Sequence, residues 1–328
     1  MTNYIQIIRW KNLLFIVLIQ WLMQHSVIFP ILETFSLQPT HNAYYGYLLM
    51  LATLLIAAGG YVINDYFDVK IDRINKPEKV IVTESITKES AMRFYQILTG
   101  TGIVFGIVLA VLARSFTLGF VFVLVPGLLW FYAASYKRQF IWGNVVVSLL
   151  AALTVFVVAM LEFALLKKEY ADLIYQTEIP KIIYGWTGGF AFFAFFCTWI
   201  REVIKDMQDE AGDREMECRT MPIKWGVSKT KYFVYGLIVF TLAALFHFRY
   251  HYILFEGTLT LRYLIFGITL PFIALIYLVF RAKTPEDYKQ ASTLSKFIML
   301  IGIFYTFVFY YLQAKTYNLN FFGLFLIK

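Results

Sequence analysis

The chain has 328 residues, 60% of them hydrophobic, 19% aromatic and only 15% charged. Soluble domains run nearer about 45–50% apolar and about 25% charged, so composition argues against a soluble enzyme and for an integral membrane protein. A net charge of +8 would suit a nucleic-acid binder, but its distribution points to membrane orientation instead, and two cysteines make no disulfide framework.

The N-terminus "MTNYIQIIRWKNLLF" has no small-residue cleavage site after its apolar region, so no removable signal peptide is expected. Windows of about 20 apolar residues predict nine spans. They fall at residues 12–34, 44–65, 92–113, 116–135, 143–166, 183–204, 231–248, 261–281 and 295–314. The first is the least clean, carrying Gln20, Gln24 and His25, and the tail "NFFGLFLIK" is too short to cross. The expected architecture is one all-α polytopic domain over residues 1–328, a bundle of nine transmembrane helices.

Lysine and arginine orient the bundle. With the N-terminus in the cytosol, 21 of the 29 basic residues fall on that side and 8 on the other. This bias places the long loops 65–91 and 205–230 inside and the C-terminus outside. The two halves also echo one another. Span 2 ends in "NDYFDVKID" and span 6 in "KDMQDEAGD", four spans apart on the same face, and each leads into a charged loop with one proline. This predicts two pseudo-repeated halves with Asp-rich cytosolic loops after helices 2 and 6.

Asn64, Asp68 and Asp72 are spaced i, i+4, i+8, and Asp206, Asp209 and Asp213 are spaced i, i+3, i+7. Continued as helices, each trio shares one face. Like charges on one face near the interface repel and are poorly hydrated, unless something positive lies between them. For a single cluster, pairing with Lys70, Arg73, Lys205 or Arg214 is the plainer explanation. Two such clusters at two span ends favour a shared cation. Oxygen ligands alone select a hard ion. Mg²⁺ fits best, because it takes few carboxylates and completes its shell with water and phosphate. No His or Cys stands among these acids for zinc, and the EF-hand spacing of a calcium loop is absent. Lys137, Arg138, Arg201, Lys205 and Arg219 could help hold a diphosphate. A polar head at the interface with a hydrocarbon tail in the bundle describes a prenyl diphosphate.

With these residues in view, the chain resembles the UbiA-type intramembrane prenyltransferases over nearly its whole length. "NDYFDVKID" is similar to the family's first motif, with Asn64, Asp65, Asp68 and Asp72 in register, and "DMQDEAGD" to the second. "SYKRQFIWGN" resembles the Lys-Arg turn before span 5 and gives Lys137, Arg138 and Asn144; "RWKN" gives Asn12; "SKFIM" gives Lys296. The resemblance implies Mg²⁺ held by Asn64, Asp68, Asp72, Asp206, Asp209 and Asp213. It implies catalytic roles for Asp65, Asp68 and Asp213, with Asp65 orienting the acceptor or a basic side chain. Substrate contacts would come from Asn12, Lys137, Arg138, Asn144, Arg201, Lys205, Arg219 and Lys296. "REVIKDMQDEAGDREMECRTMPIKWG" looks most like the branch that moves a geranylgeranyl group onto geranylgeranylglyceryl phosphate. The loop "NKPEKVIVTESIT" departs from the family's usual second proline and Ser-Gly pair. A quinone precursor or a chlorophyllide-like acceptor is the alternative within the family, and a secondary transporter the alternative outside it. Acids gathered at one face, with span centres nearly free of charge, argue against transport. His25, His41, His247 and His251 receive no catalytic role, Cys197 reads as core and Cys218 as a free loop thiol. The partners expected are a prenyl diphosphate, a lipophilic acceptor and the bilayer, with no nucleic acid.

Overall fold

The computed structural model describes residues 2–37, 43–253 and 255–326; His41 lies outside the described residues. Among them, nine helices are long and apolar enough to cross a membrane. They are α1 (Trp10–Thr34), α2 (Tyr44–Asn75), α3 (Lys88–Leu112), α4 (Phe116–Ala134) and α5 (Trp142–Gln176), followed by α6 (Ile179–Gln208), α7 (Val227–His251), α8 (Leu259–Arg281) and α9 (Pro285–Tyr317). The only strands described are two residues each, Asn320–Phe321 paired with Phe325–Leu326. The protein is an all-α, multi-pass membrane bundle.

All nine predicted spans are present, and most of the ends that differ lie further out. α2 continues to Asn75 and α6 to Gln208, and α9 begins at Pro285. A hydropathy window detects the part that prefers lipid, whereas helix formation continues through charged turns that still satisfy the backbone. The start of α9 shows how such an end is fixed. The Thr284 side chain accepts from the Asp287 N–H at 3.3 Å, Asp287 accepts from the Thr284 N–H at 3.0 Å, and Pro285 occupies the first turn.

Two spans widen into π-helix, at Met23–Ile28 in α1 and Tyr263–Thr269 in α8. Each widening precedes a proline, Pro30 and Pro271. A proline ring clashes with the carbonyl four residues earlier and offers no N–H, and the wider turn relieves both faults.

Small residues let the helices approach closely, the main route to packing where lipid removes the hydrophobic drive. A Cβ on Gly102 of α3 would come within 2.8 Å of Ile56 on α2. One on Gly60 of α2 would lie 3.1 Å from Leu129 on α4. The loop after α2 is pinned rather than loose. Val82 and Ile86 are buried with Val62 and Val69 of α2, and Arg73 holds Glu84 at 2.9 Å. The departing sequence "VIVTESI" therefore builds a small apolar cluster under the first acidic segment.

Candidate active site

On α2, Asn64, Asp68 and Asp72 share a face of continuous helix, as the spacing predicts. The Asn64 amide donates to Asp68 Oδ2 at 2.8 Å. Lys137 forms an ion pair with the same carboxylate and donates to Asn64 Oδ1 at 3.4 Å. Asp68 is buried, and its second oxygen, Oδ1, has no hydrogen-bond partner. A buried carboxylate oxygen without a partner is costly, and it marks where a donor or a cation would be accommodated.

Lys137 stands on a tight turn, Tyr136–Arg138, that joins α4 to α5. That turn presses on Gly143, where a Cβ would lie 2.5 Å from the Lys137 Cα. Arg138 donates to the Phe67 carbonyl at 3.3 Å, and its own carbonyl accepts the Arg219 N–H at 2.7 Å. The basic turn thus ties α2 to the loop after α6.

Asp65 lies about 100° round the helix from Asn64. Arg9 donates to it at 2.6 Å while the guanidinium lies 5.2 Å from the centre of the Tyr61 ring.

The second acidic segment is not one helix. α6 stops at Gln208, Asp209 leaves helical geometry, and a separate turn spans Glu210–Glu215. The cause is Asn75, at the end of α2. Its Nδ2 donates to the Asp209 carbonyl at 3.2 Å, and its Oδ1 accepts the Gly212 N–H at 2.9 Å. A Cβ on Gly212 would fall 2.5 Å from the Asn75 side chain, so only glycine permits this latch. Asp206 accepts from Asn144 at 2.9 Å, Asp209 from Lys76 at 2.6 and 2.7 Å, and Asp213 from the Thr220 hydroxyl at 3.0 Å. Burial pushes the Asp213 carboxyl up to about 6; Thr220 opposes the shift and Asp209 adds to it.

Both segments open into one cavity of about 1430 Å³. Every site residue predicted from sequence lines it except Arg219, whose side chain is exposed. The cavity continues downward between apolar walls that include Ile56, Leu129, Leu150 and Phe190. From Asp68 to Thr53 on α2 is 15 residues, or about 22 Å of helix. At that depth Gln20 donates to the Thr53 hydroxyl at 3.2 Å and the Thr154 carbonyl at 3.1 Å.

Sequence reading missed Arg9, Asn75, Lys76 and Glu202. Glu202 is buried and holds Arg201 at 2.6 Å and Lys205 at 2.7 Å. Its i+3 spacing to Lys205 was legible; the partners of the other three come from distant elements and were not. Cys218 is a free loop thiol, as expected, and it is buried; burial and the nearby Asp213 push it up to about 11. His25, His247 and His251 do not line the cavity.

An apolar channel topped by two acidic helix ends and a basic turn defines a membrane enzyme that binds a lipid by an anionic head. The model of the UbiA prenyltransferase family matches residues 27–304, and the chain belongs to that family; it is a prenyltransferase. It is 30% identical to the digeranylgeranylglyceryl phosphate synthase of Sulfolobus acidocaldarius over 78% of this chain and 82% of the relative. With the synthase of that name from Methanosphaera stadtmanae it shares 31% identity over 79% of this chain and 86% of the relative. A solved digeranylgeranylglyceryl phosphate synthase superposes with a TM-score of 0.61 at 25% identity, covering 94% of this chain and 98% of the other. A UbiA homologue from Archaeoglobus fulgidus, solved with DMAPP and Mg²⁺, superposes with a TM-score of 0.55 at 14% identity over 92% and 97% of the two chains.

Proposed function

We propose that this prenyltransferase moves a geranylgeranyl group from its diphosphate to geranylgeranylglyceryl phosphate, with Mg²⁺ bound between the two acidic segments at the cytosolic face. The observation that carries the reading is the orphaned, buried Asp68 Oδ1, in a cavity that Asp72, Asp206, Asp209 and Asp213 also line. Among the described residues, no three or more His, Cys, Asp or Glu side chains are gathered so as to hold a metal ion; Mg²⁺ binding here would therefore depend on phosphate and water for much of its shell. The donors facing the cavity are carboxylate and amide oxygens, from Asn64, Asp68 and Asp72 on one side and Asp206, Asp209 and Asp213 on the other.

Mg²⁺, when bound, would neutralise the diphosphate as a leaving group. The chain's own residues supply the rest. Lys137 and Arg138 face the same anion from the basic turn, and Asn144 orients Asp206. The apolar walls exclude water from the allylic carbon, and nearby aromatic faces such as Tyr132 steady the positive charge that develops there. Arg9 holds Asp65, which leaves Asp65 to orient the acceptor rather than bind metal. The names of the relatives at about 30% identity support the glyceryl phosphate acceptor over an aromatic ring. The positive-inside bias supports a cytosolic N-terminus and active site, with the C-terminus outside.

The test is prenyl transfer by the purified protein in detergent, with geranylgeranyl diphosphate, Mg²⁺ and a panel of acceptors. Product with the glyceryl phosphate, lost on adding EDTA, is expected. Transfer only to an aromatic acceptor would overturn the acceptor, and absence of both transfer and diphosphate release would overturn the whole reading.

A further inference from the structure

The head of the single cavity is lined by the acids described above with Lys137 and Arg138, and also by a group of charged side chains that includes Arg9 and Asp65 and residues of α6 and α9. Within it, Arg9 is matched by Asp65. Arg201 and Lys205 share a single carboxylate, Glu202. Lys296 of α9 has no ion-pair partner among the described residues, and it lies within electrostatic reach of Arg201, Lys205 and Glu202. Arg201, Lys205 and Lys296 against the single Glu202 leave a surplus of two positive charges among these cavity-lining side chains.

Two further observations point to a ligand. Thr198, one turn below Arg201 on α6, is 6% exposed and lines the cavity, and its hydroxyl has no partner. The Arg201 Nε is also buried and unpartnered. Unpaired buried donors beside uncompensated charge are costly without an anionic guest. Arg201 lies five residues from Asp206, about 7.5 Å along the helix axis, so its guanidinium starts from a different level of α6 than that acid.

We propose that Arg201, Lys205 and Lys296, positioned by Glu202, form a second anion subsite that takes the phosphomonoester of a lipid acceptor, separate from the diphosphate of the donor. The assignment rests on the transferase reading above and names how its acceptor is recognised. A phosphomonoester carries about −1.5 to −2 charge at neutral pH, which matches the surplus. A neutral ring or a free alcohol would leave it uncompensated. Thr198 faces the same space and can donate to the acceptor's glycerol oxygens. Lys205 and Asp206 are neighbours on α6 and line the same cavity, but successive helical residues point about 100° apart, so Lys205 can turn to Glu202 while Asp206 turns to Asn144.

The test uses the full chain in detergent and two acceptors that differ only in the phosphate, geranylgeranylglyceryl phosphate and geranylgeranylglycerol. Wild-type kcat/KM should favour the phosphate by about 100-fold. Lys296→Ala and Glu202→Gln should each cut that preference about 10- to 100-fold through the acceptor KM, with the donor KM held within about twofold, as loss of a charge-assisted contact requires. Equilibrium binding of radiolabelled geranylgeranylglyceryl phosphate without donor should weaken in parallel. This arm judges the subsite even if no transfer occurs, so failure of the transferase reading stays distinct. A wild-type preference near one, or a rise in donor KM with acceptor binding unchanged, overturns the proposal. Equal competition by phosphatidylglycerol overturns the monoester specificity and assigns the cations to bulk headgroups.

Discussion

The two acidic helix ends carry the same chemistry on different backbones. The first is local: α2 runs unbroken through Asn64, Asp68 and Asp72, and its own hydrogen-bond ladder fixes their common face. The second is assembled: α6 breaks at Asp209, and Asp213 is brought back by Asn75, Gly212 and Thr220. One end should therefore tolerate change in its surroundings, while the other depends on a latch supplied by its counterpart. The repeat heard in the sequence is a repeat of charge, not of geometry.

The sharpest way to break the comparison is to remove one carboxylate from each end. Asp68→Ala and Asp213→Ala should each lower prenyl transfer by at least about 10²–10³-fold, as loss of transition-state charge stabilisation does. Thermal midpoints in detergent should stay within a few degrees of wild type. A folded Asp68→Ala protein with full turnover would remove the first end from the site.

The latch gives the next effect. Asn75→Ala deletes two hydrogen bonds that span the two ends, and Gly212→Ala forces a Cβ against the Asn75 side chain. Each should lower kcat about tenfold, at a stability cost of about 1–3 kcal/mol. Gly100→Ala on α3 is the control: its Cβ would meet nothing within 4 Å, so activity and stability should hold. Equal behaviour of Gly212→Ala and Gly100→Ala would deny the latch.

Acidity should sharpen the asymmetry. Burial holds Asp213 up to about 6, so the metal-free fold binds that proton more tightly than the unfolded chain. The stability this proton contributes is complete below the ordinary carboxylate range and is lost as pH rises through about 6. A cation must displace the same proton, so Mg²⁺ binding should weaken about tenfold per pH unit below 6. Thermal shift against Mg²⁺ concentration at pH 5, 6 and 7 measures this. A pH-independent midpoint would show that Asp213 is already ionised.

Two smaller effects complete the series. Lys76 neutralises Asp209, and both side chains are about a quarter exposed. Lys76→Met should change the Mg²⁺ requirement by only about threefold, as a screened pair does. Arg219 contributes its backbone N–H to the Arg138 carbonyl while its side chain is exposed. Arg219→Ala should leave the donor KM within about twofold; a large rise would return its guanidinium to the diphosphate.

Much was legible from the chain alone because the bilayer imposes strict rules. Twenty apolar residues in a row must become a helix, since lipid offers the backbone no other partner. That rule yields nine spans from hydropathy, and the i, i+4, i+8 spacing yields the first acidic face. The second trio was legible as composition only. Its break at Asp209 depends on Asn75, 134 residues earlier in the chain, and no periodicity encodes a contact of that range. The same holds for Arg9 on Asp65 and for the turn that delivers Lys137 to Asp68. Lysines and arginines near span ends satisfy the positive-inside bias whether or not they touch a ligand, so sequence could not separate Lys296 from Arg219. By itself the sequence determined the membrane class, the spans and the acids, because local hydrogen bonding and hydration enforce them. Only tertiary packing decided which charges neutralise each other, which are left to face the cavity and how far the apolar channel reaches. Those outcomes depend on distances between helices, which the packing of small residues and the latch at Gly212 set.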